Sequence, residues 1–307
     1  MPLLTADAKG VYPISVTPFH PDGRIDFDSL ERVTDFYLEK GATGLTILGI
    51  MGEATKLTQA ESREVAQRVI ARANVPVVVG VSAPGLAAIT ELTASVMDMG
   101  AAGVMIAPPG NLRTDNQIVT YYTQACAAAG AGVPVVLQDF PLTTGVQIDP
   151  GTIRRIVDAL PQIVMLKHED WPGLAKITAL RKAEAAGGRR ISILCGNGGL
   201  FLPEEMGRGA DGAMTGFAYP EMLAQVVGLC AAGQAERAQD IFDAHLPLVR
   251  YEQQPGAGLA VRKYVLAKRG AIASEAQRNP GANLPAEARA EVDRMIARLE
   301  IRLKELG

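Results

Sequence analysis

Short apolar runs recur along the chain at nearly even intervals, and between them apolar positions fall to a period of three to four. The runs are VYPISVT (11–17), GLTILGI (44–50), VPVVVGVS (75–82) and GVMIAPP (103–109). They continue with VPVVLQDF (133–140), IVMLKHE (163–169), ISILCGN (191–197) and GAMTGF (212–217). Their β-branched content and length predict strands, and their near-continuous apolar character predicts a parallel sheet covered on both faces. Segments such as FDSLERVTDFYLEKG and TQAESREVAQRVIARA place apolar residues at i, i+3, i+4 and i+7, as a helix with one buried stripe does. Thr58 with Glu61 three residues on reads as a capping box that starts the second of these helices.

Eight strand–helix units predict an α/β fold, a closed (β/α)8 TIM barrel. The competing arrangement, an open doubly wound sheet, finds no glycine-rich dinucleotide turn after the first strand. Strand signals stop near residue 220, and helical stretches follow near 220–245, 254–269 and 285–305. We expect one domain over 1–307, with a barrel core at 10–220 and closing and C-terminal helices at 221–307. SEAQRNPGANLP (274–285) predicts a turn-rich connector in that appended layer.

Composition restricts the chemistry more than the fold. With 48% hydrophobic but 5% aromatic residues, the core must be built from Ala, Val, Ile and Leu. A net charge of −3, with Arg154–Arg155 and Arg189–Arg190 as the densest basic runs, argues against a nucleic-acid partner. No apolar stretch reaches the roughly 18 residues of a membrane span, and MPLLTADAKG has neither region of an export signal. Cys126, Cys195 and Cys230 are odd in number and dispersed, which predicts reduced thiols in a cytoplasmic protein. His20, His168 and His245 are equally scattered. Without an HExxH, a His/Cys cluster, a GxGxxG or a Walker sequence, the expected chemistry uses no metal and no nucleotide cofactor.

The run IVMLKHE carries the main chemical signal. A lysine ends an apolar strand without a break in the pattern, and buried lysines are rare unless paired or put to use. In a barrel of this kind the chemistry sits where strands end and βα-loops begin, which is where Lys167 falls. Strand alternation puts Met165, Lys167 and Glu169 on one face and Leu166, His168 and Asp170 on the other. A barrel interior disfavours the charged form of an amine, and a neutral amine can attack a ketone to form a Schiff base. The competing roles are an ion pair with Glu169 or a side chain reaching to the surface. The other eight lysines lie in polar helical or loop contexts and do not compete for the role.

PISVTPF, GATGLTILGIMGEATKLTQAE, DFPLTTG and MLKHED, in this order, resemble the dihydrodipicolinate synthase/N-acetylneuraminate lyase superfamily from about residue 10 to 270. The resemblance implies a (β/α)8 barrel, assembled as a homotetramer or homodimer. It also implies that Lys167 forms a Schiff base with pyruvate or another 2-keto acid. The departures matter. The turn that binds the keto-acid carboxylate usually reads Gly-Thr/Ser-Thr-Gly-Glu; here it is Gly49-Ile50-Met51-Gly52-Glu53, with both hydroxyls missing but backbone N–H groups available. Gln138 stands where the superfamily has a catalytic tyrosine, Thr143 where the synthases have an arginine, and Pro109-Gly110 where a Tyr-Tyr pair is usual. Synthesis of dihydrodipicolinate is therefore not expected.

A subgroup, the 2-keto-3-deoxyarabonate dehydratases, is similar in its QDxP strand end and in a glutamate two residues after the lysine. Here these are Gln138-Asp139-Phe140-Pro141 and Glu169, and the IASEAQRNPG tail is also similar. Dehydration of a 2-keto-3-deoxy sugar acid is the expected reaction, with Glu169 as acid or base. A pyruvate-dependent aldolase and a non-catalytic keto-acid-binding barrel are the alternatives. Asp139, Thr143, Asn197 and Thr215 join Gly49, Ile50, Met51 and Gly52 as expected substrate contacts. The GNGG turn (196–199) could cradle an anion or form a tight βα-loop, Trp171 could pack or wall the substrate, and Asn111 and Arg113 could reach it from the fourth loop.

Overall fold

A computed structural model describes residues 2–307. Its eight parallel strands are β1 (Gly10–Val11), β2 (Leu45–Ile47), β3 (Val77–Gly80), β4 (Gly103–Ile106), β5 (Val135–Asp139), β6 (Ile163–His168), β7 (Ser192–Cys195) and β8 (Gly212–Ala213). Between and after them run α1 (Phe27–Glu39), α2 (Gln59–Arg72), α3 (Leu86–Asp98), α4 (Asp115–Ala129), α5 (Pro141–Thr144), α6 (Pro150–Ala159), α7 (Leu174–Ala185) and α8 (Leu202–Gly207). Neighbouring strands pair in the order β1-β8-β7-β6-β5-β4-β3-β2, and an Ile14–Thr46 bridge joins the two ends, giving the (β/α)8 barrel. The Thr58–Glu61 capping box is formed at the start of α2.

The first strand is shorter than its apolar run because Pro13 has no N–H to donate. The pairing nevertheless continues past it. Tyr12 and Ile14 donate to the carbonyls of Ala213 and Thr215 at 2.8 and 3.0 Å, and Ser15 donates to Thr46 at 2.8 Å. Strand alternation divides the core in two. One cluster fills the barrel lumen with Tyr12, Ile14, Val78, Met105, Val136, Met165, Leu194 and Met214. A larger one, including Val77, Leu137, Leu166 and Ile193, lies between the strands and the helical ring.

After β8 come α9 (Pro220–Ala231), α10 (Ala235–Glu252), α11 (Gly258–Lys268) and α12 (Ala286–Glu305). The expected single helix at 220–245 is two, because Gly233 takes a left-handed φ of 74° that ends α9. Among the described residues no helix is long and apolar enough to cross a membrane.

The appended layer is tied to the barrel by a lysine that the sequence reading set aside. Lys263 on α11 is wholly buried. It donates to Glu53 Oε1 at 2.5 Å, the Thr17 carbonyl at 2.8 Å and the Ala276 carbonyl at 2.9 Å. Burial draws its pKa down to about 8, against the opposing pull of Glu53. Lys176 on α7 is buried as well, so Lys167 is not alone in leaving polar surroundings. Breaking a buried pair by removing one partner leaves an uncompensated charge, at a cost of about 3–5 kcal/mol. Lys263→Met should therefore destabilise the protein by about that amount, more than Lys268→Met at a surface ion pair. Equal unfolding midpoints in denaturant for the two variants would contradict this account.

Candidate active site

Above the apolar lumen, the next inward positions are polar. Val136 and Met165 lie in the lumen cluster, so two residues further along β5 and β6 come Gln138 and Lys167, which are register partners. Lys167 Nζ lies 2.8 Å from Glu169 Oε1, and both side chains are almost fully buried. Gln138 Nε2 donates to the same Glu169 oxygen at 2.7 Å.

The loop after β7 fits itself to Glu169. Gly196 has no side chain, and a Cβ there would lie 2.6 Å from both Cδ and Oε2 of Glu169. Asn197 donates from Nδ2 to the Glu169 carbonyl at 2.9 Å, and Gly198 donates its N–H to Thr215 Oγ1 at 2.7 Å. The GNGG turn is thus a tight βα-loop that holds Glu169 and joins the ends of β7 and β8.

Lys167 and Glu169 face a cavity of about 490 Å³, whose lining does not include Gln138. Lys167, Glu169, Asn197, Thr215, Ile50 and Met51 line it. Gly49, Ile50, Met51 and Gly52 form one 3-10 turn, in which the first N–H groups have no partner within the turn. Thr17 Oγ1 fixes that turn from below by donating to the Gly52 carbonyl at 2.6 Å. Among the described residues, the three non-glycine positions with a left-handed backbone are Leu48, Glu53 and Asn197. Each such conformation costs on the order of 1 kcal/mol or more and needs surrounding structure to hold it, and all three sit at this mouth.

Two expected contacts lie elsewhere. Asp139 is fully buried on the outward face of β5, with Oδ2 2.6 Å from Lys176 Nζ. Alternation requires this once its neighbour Gln138 points inward. Asp170 also pairs with Lys176, at 2.7 Å. Burial raises the Asp139 carboxyl to about 6, while Lys176 pulls it back. Thr143 lies exposed on the short helix α5, away from the cavity lining.

His168 is buried on the outer face, and burial lowers its pKa to about 4, which keeps it neutral. Trp171 packs edge-on against Phe201 at 5.7 Å, and Asn111 borders a separate surface hollow. Arg113 turns back onto the Gly110 carbonyl at 2.8 Å.

Sequence reasoning missed one wall. Arg262 and Gln253, from α11 and the end of α10, line the same cavity as Lys167. Arg262 pairs with the buried Glu252 at 2.7 Å. Nothing local in the sequence announces this, although a charged residue flanked by Ala260, Val261 and Val265 is a usable sign. Among the described residues, no group of three or more His, Cys, Asp or Glu side chains is placed to hold a metal ion.

Residues 7–299 match the dihydrodipicolinate synthetase family. L-2-keto-3-deoxyarabonate dehydratase of Azospirillum brasilense is 29% identical over 300 residues, covering 95% of this chain and 94% of that protein. A 4-hydroxy-tetrahydrodipicolinate synthase of Methanothrix thermoacetophila is 29% identical over 245 residues, covering 79% of this chain and 81% of that one. Among solved structures, one described as dihydrodipicolinate synthase from Rhodopseudomonas palustris has 59% identity and a TM-score of 0.96. It covers 97% of this chain and 100% of its own.

The contact between Gly196 and Glu169 has a measurable consequence. Gly196→Ala should cost about 1–3 kcal/mol by overpacking, and that cost should largely vanish in an Glu169→Ala background. A double-mutant cycle by denaturant unfolding that finds the two changes additive would show that the Glu169 side chain is not what fills this space.

Proposed function

The chain belongs to the dihydrodipicolinate synthetase family and is a lyase, and we propose that it dehydrates a 2-keto-3-deoxy sugar acid through an imine on Lys167. The observation that carries this reading is the buried Lys167–Glu169 pair, with Gln138 on the carboxylate instead of a group that can relay a proton.

In this mechanism Lys167 passes one proton to Glu169, and its neutral amine attacks C2 of the keto acid. The carbonyl oxygen then leaves as water, with one proton from the nitrogen and one returned by Glu169, and the protonated imine remains. That cation acidifies the C3 protons. Glu169, one hydrogen bond from the lysine nitrogen, takes a proton from C3, and the C3–H electron pair forms the enamine. The enamine then expels the C4 hydroxyl, which leaves as water with the proton that Glu169 returns. Hydrolysis frees the unsaturated keto acid and the amine. A carboxamide such as Gln138 is neither a useful acid nor a useful base near neutral pH, so proton movement falls on Glu169 and Gln138 orients it. The similarity to L-2-keto-3-deoxyarabonate dehydratase over nearly the whole of both chains supports the same reading. We further propose a homotetramer or homodimer in the cytoplasm, with a small-molecule keto acid as substrate.

A second reading is favoured by the 59% identical structure, which bears the name of a synthase. The synthase reaction condenses pyruvate with an aldehyde, and it shares every step up to the enamine with the dehydratase. An aldolase shares them too. The branch lies in what meets the enamine, and the replacement of the synthases' tyrosine and arginine by Gln138 and Thr143 supports elimination over condensation.

Borohydride with pyruvate should trap an adduct on Lys167, and Glu169→Gln should still be trapped while losing turnover by roughly 10²–10⁴-fold. Mass mapping of the adduct to another lysine, or full turnover in Glu169→Gln, would refute the mechanism. Assayed side by side, keto-deoxy sugar acids should yield dehydrated products, whereas pyruvate with aspartate semialdehyde should give no condensation. Condensation without dehydration would establish the synthase reading instead.

A further inference from the structure

Building on the reading of Lys167 as the imine-forming amine, we infer that Arg262 selects for an anionic substrate by taking a carboxylate of the bound keto acid on its terminal nitrogens. Arg262 is one of two buried cations in α11, and its neighbour provides the contrast. Lys263 has an oxygen for each of its three protons and is committed to the fold. Arg262 is not so committed. Its Nε donates to Glu252 Oε2 at 2.7 Å, while Nη1 meets only the thioether of Met51, a weak acceptor. Among the described residues no oxygen accepts from Nη2. The unbonded edge opens into the cavity and is not sealed within the protein, so a ligand that enters this space can fill it.

Its surroundings leave room for that edge. A Cβ at Gly216 would lie 2.8 Å from Nη1, so the absent side chain is what admits the guanidinium between Gly216 and Met51. Gly258 brings the start of α11 against the backbone of Glu252, where a Cβ would meet the Glu252 carbonyl carbon at 3.1 Å. Glu252 then fixes the guanidinium through Nε and leaves Nη2, together with Nη1 apart from its contact with Met51, as an end-on edge on which a carboxylate can form a bidentate pair. The cavity thus offers a carbonyl-trapping amine and a carboxylate fork within one space, and together these define a keto acid.

The test is borohydride trapping on the full-length protein with matched pairs of acid and neutral analogue. Pyruvate against methyl pyruvate probes the carboxylate beside the carbonyl, and 2-oxoadipate against 2-oxohexanoate probes a distal one. Arg262→Gln, which keeps an amide donor for Glu252, should raise the half-trapping concentration of the preferred acid about 10- to 100-fold and that of its neutral partner less than about threefold. Arg262→Lys, with the charge but not the fork, should lose a smaller part of the same preference and serves if the glutamine variant does not fold. The pair in which preference collapses identifies which carboxylate is bound. Preference unchanged in both pairs, or acid and analogue weakened alike, overturns the assignment of Arg262. No adduct with any compound on the unaltered protein overturns the role of Lys167 and this inference with it.

Discussion

The mouth of the barrel is organised around one constraint, a buried ammonium at the end of β6 that requires a matched carboxylate. Below Lys167 the lumen is closed by Val136, Met165, Leu194 and Met214, where a charge would have nothing to answer it. Glu169 meets the need at 2.8 Å, and the demand then passes outward. Gln138 from β5 steadies its carboxylate, Asn197 from the loop after β7 holds its backbone, and Gly196 clears space for its side chain. Three consecutive strand ends are therefore set by a single ion pair. Replacing such a pair by apolar groups often costs a fold nothing, so its presence here weighs towards chemistry more than stability.

The same strand carries a second polar cluster on its opposite face. Lys176 binds both Asp139 and Asp170 behind the lysine, and neutral His168 fills the remaining space. Burial raises the Asp139 carboxyl to about 6, while the shared Lys176 cation lowers it. The polar back of β6 thus anchors α7 to the barrel.

Much of this was legible in the sequence, for local reasons. Eight apolar runs gave eight strands, and a period of two put Lys167 with Glu169 and turned His168 away. The same rule, applied to Gln138, would have turned Asp139 outward as well; its placement among the substrate contacts was an error of parity. The break at Gly233 and the short β1 at Pro13 were also readable from single residues. What escaped was non-local. Glu53 and Lys263 are separated by 210 residues, and Arg262 reaches Met51 across a similar span. No periodicity within a helix tells which barrel loop that helix will cover.

Those long-range contacts explain how the turn after β2 keeps its shape. Leu48 and Glu53, both left-handed, bracket the turn, and Gly80 makes the first possible because a Cβ there would lie 2.9 Å from the Leu48 carbonyl carbon. Glu53 is held by Lys263, by Lys56 at 2.7 Å and by the Arg278 N–H at 3.1 Å. Arg278 in turn grips Glu61, the capping-box residue of α2, and lowers its carboxyl to about 2. Strain in the turn is thus carried by α11 and by the loop at 274–285, which itself contributes Gln277, Pro280 and Gly281 to the cavity wall. The C-terminal layer is therefore part of the site: it maintains the strained turn on one side of the cavity while building the wall on the other.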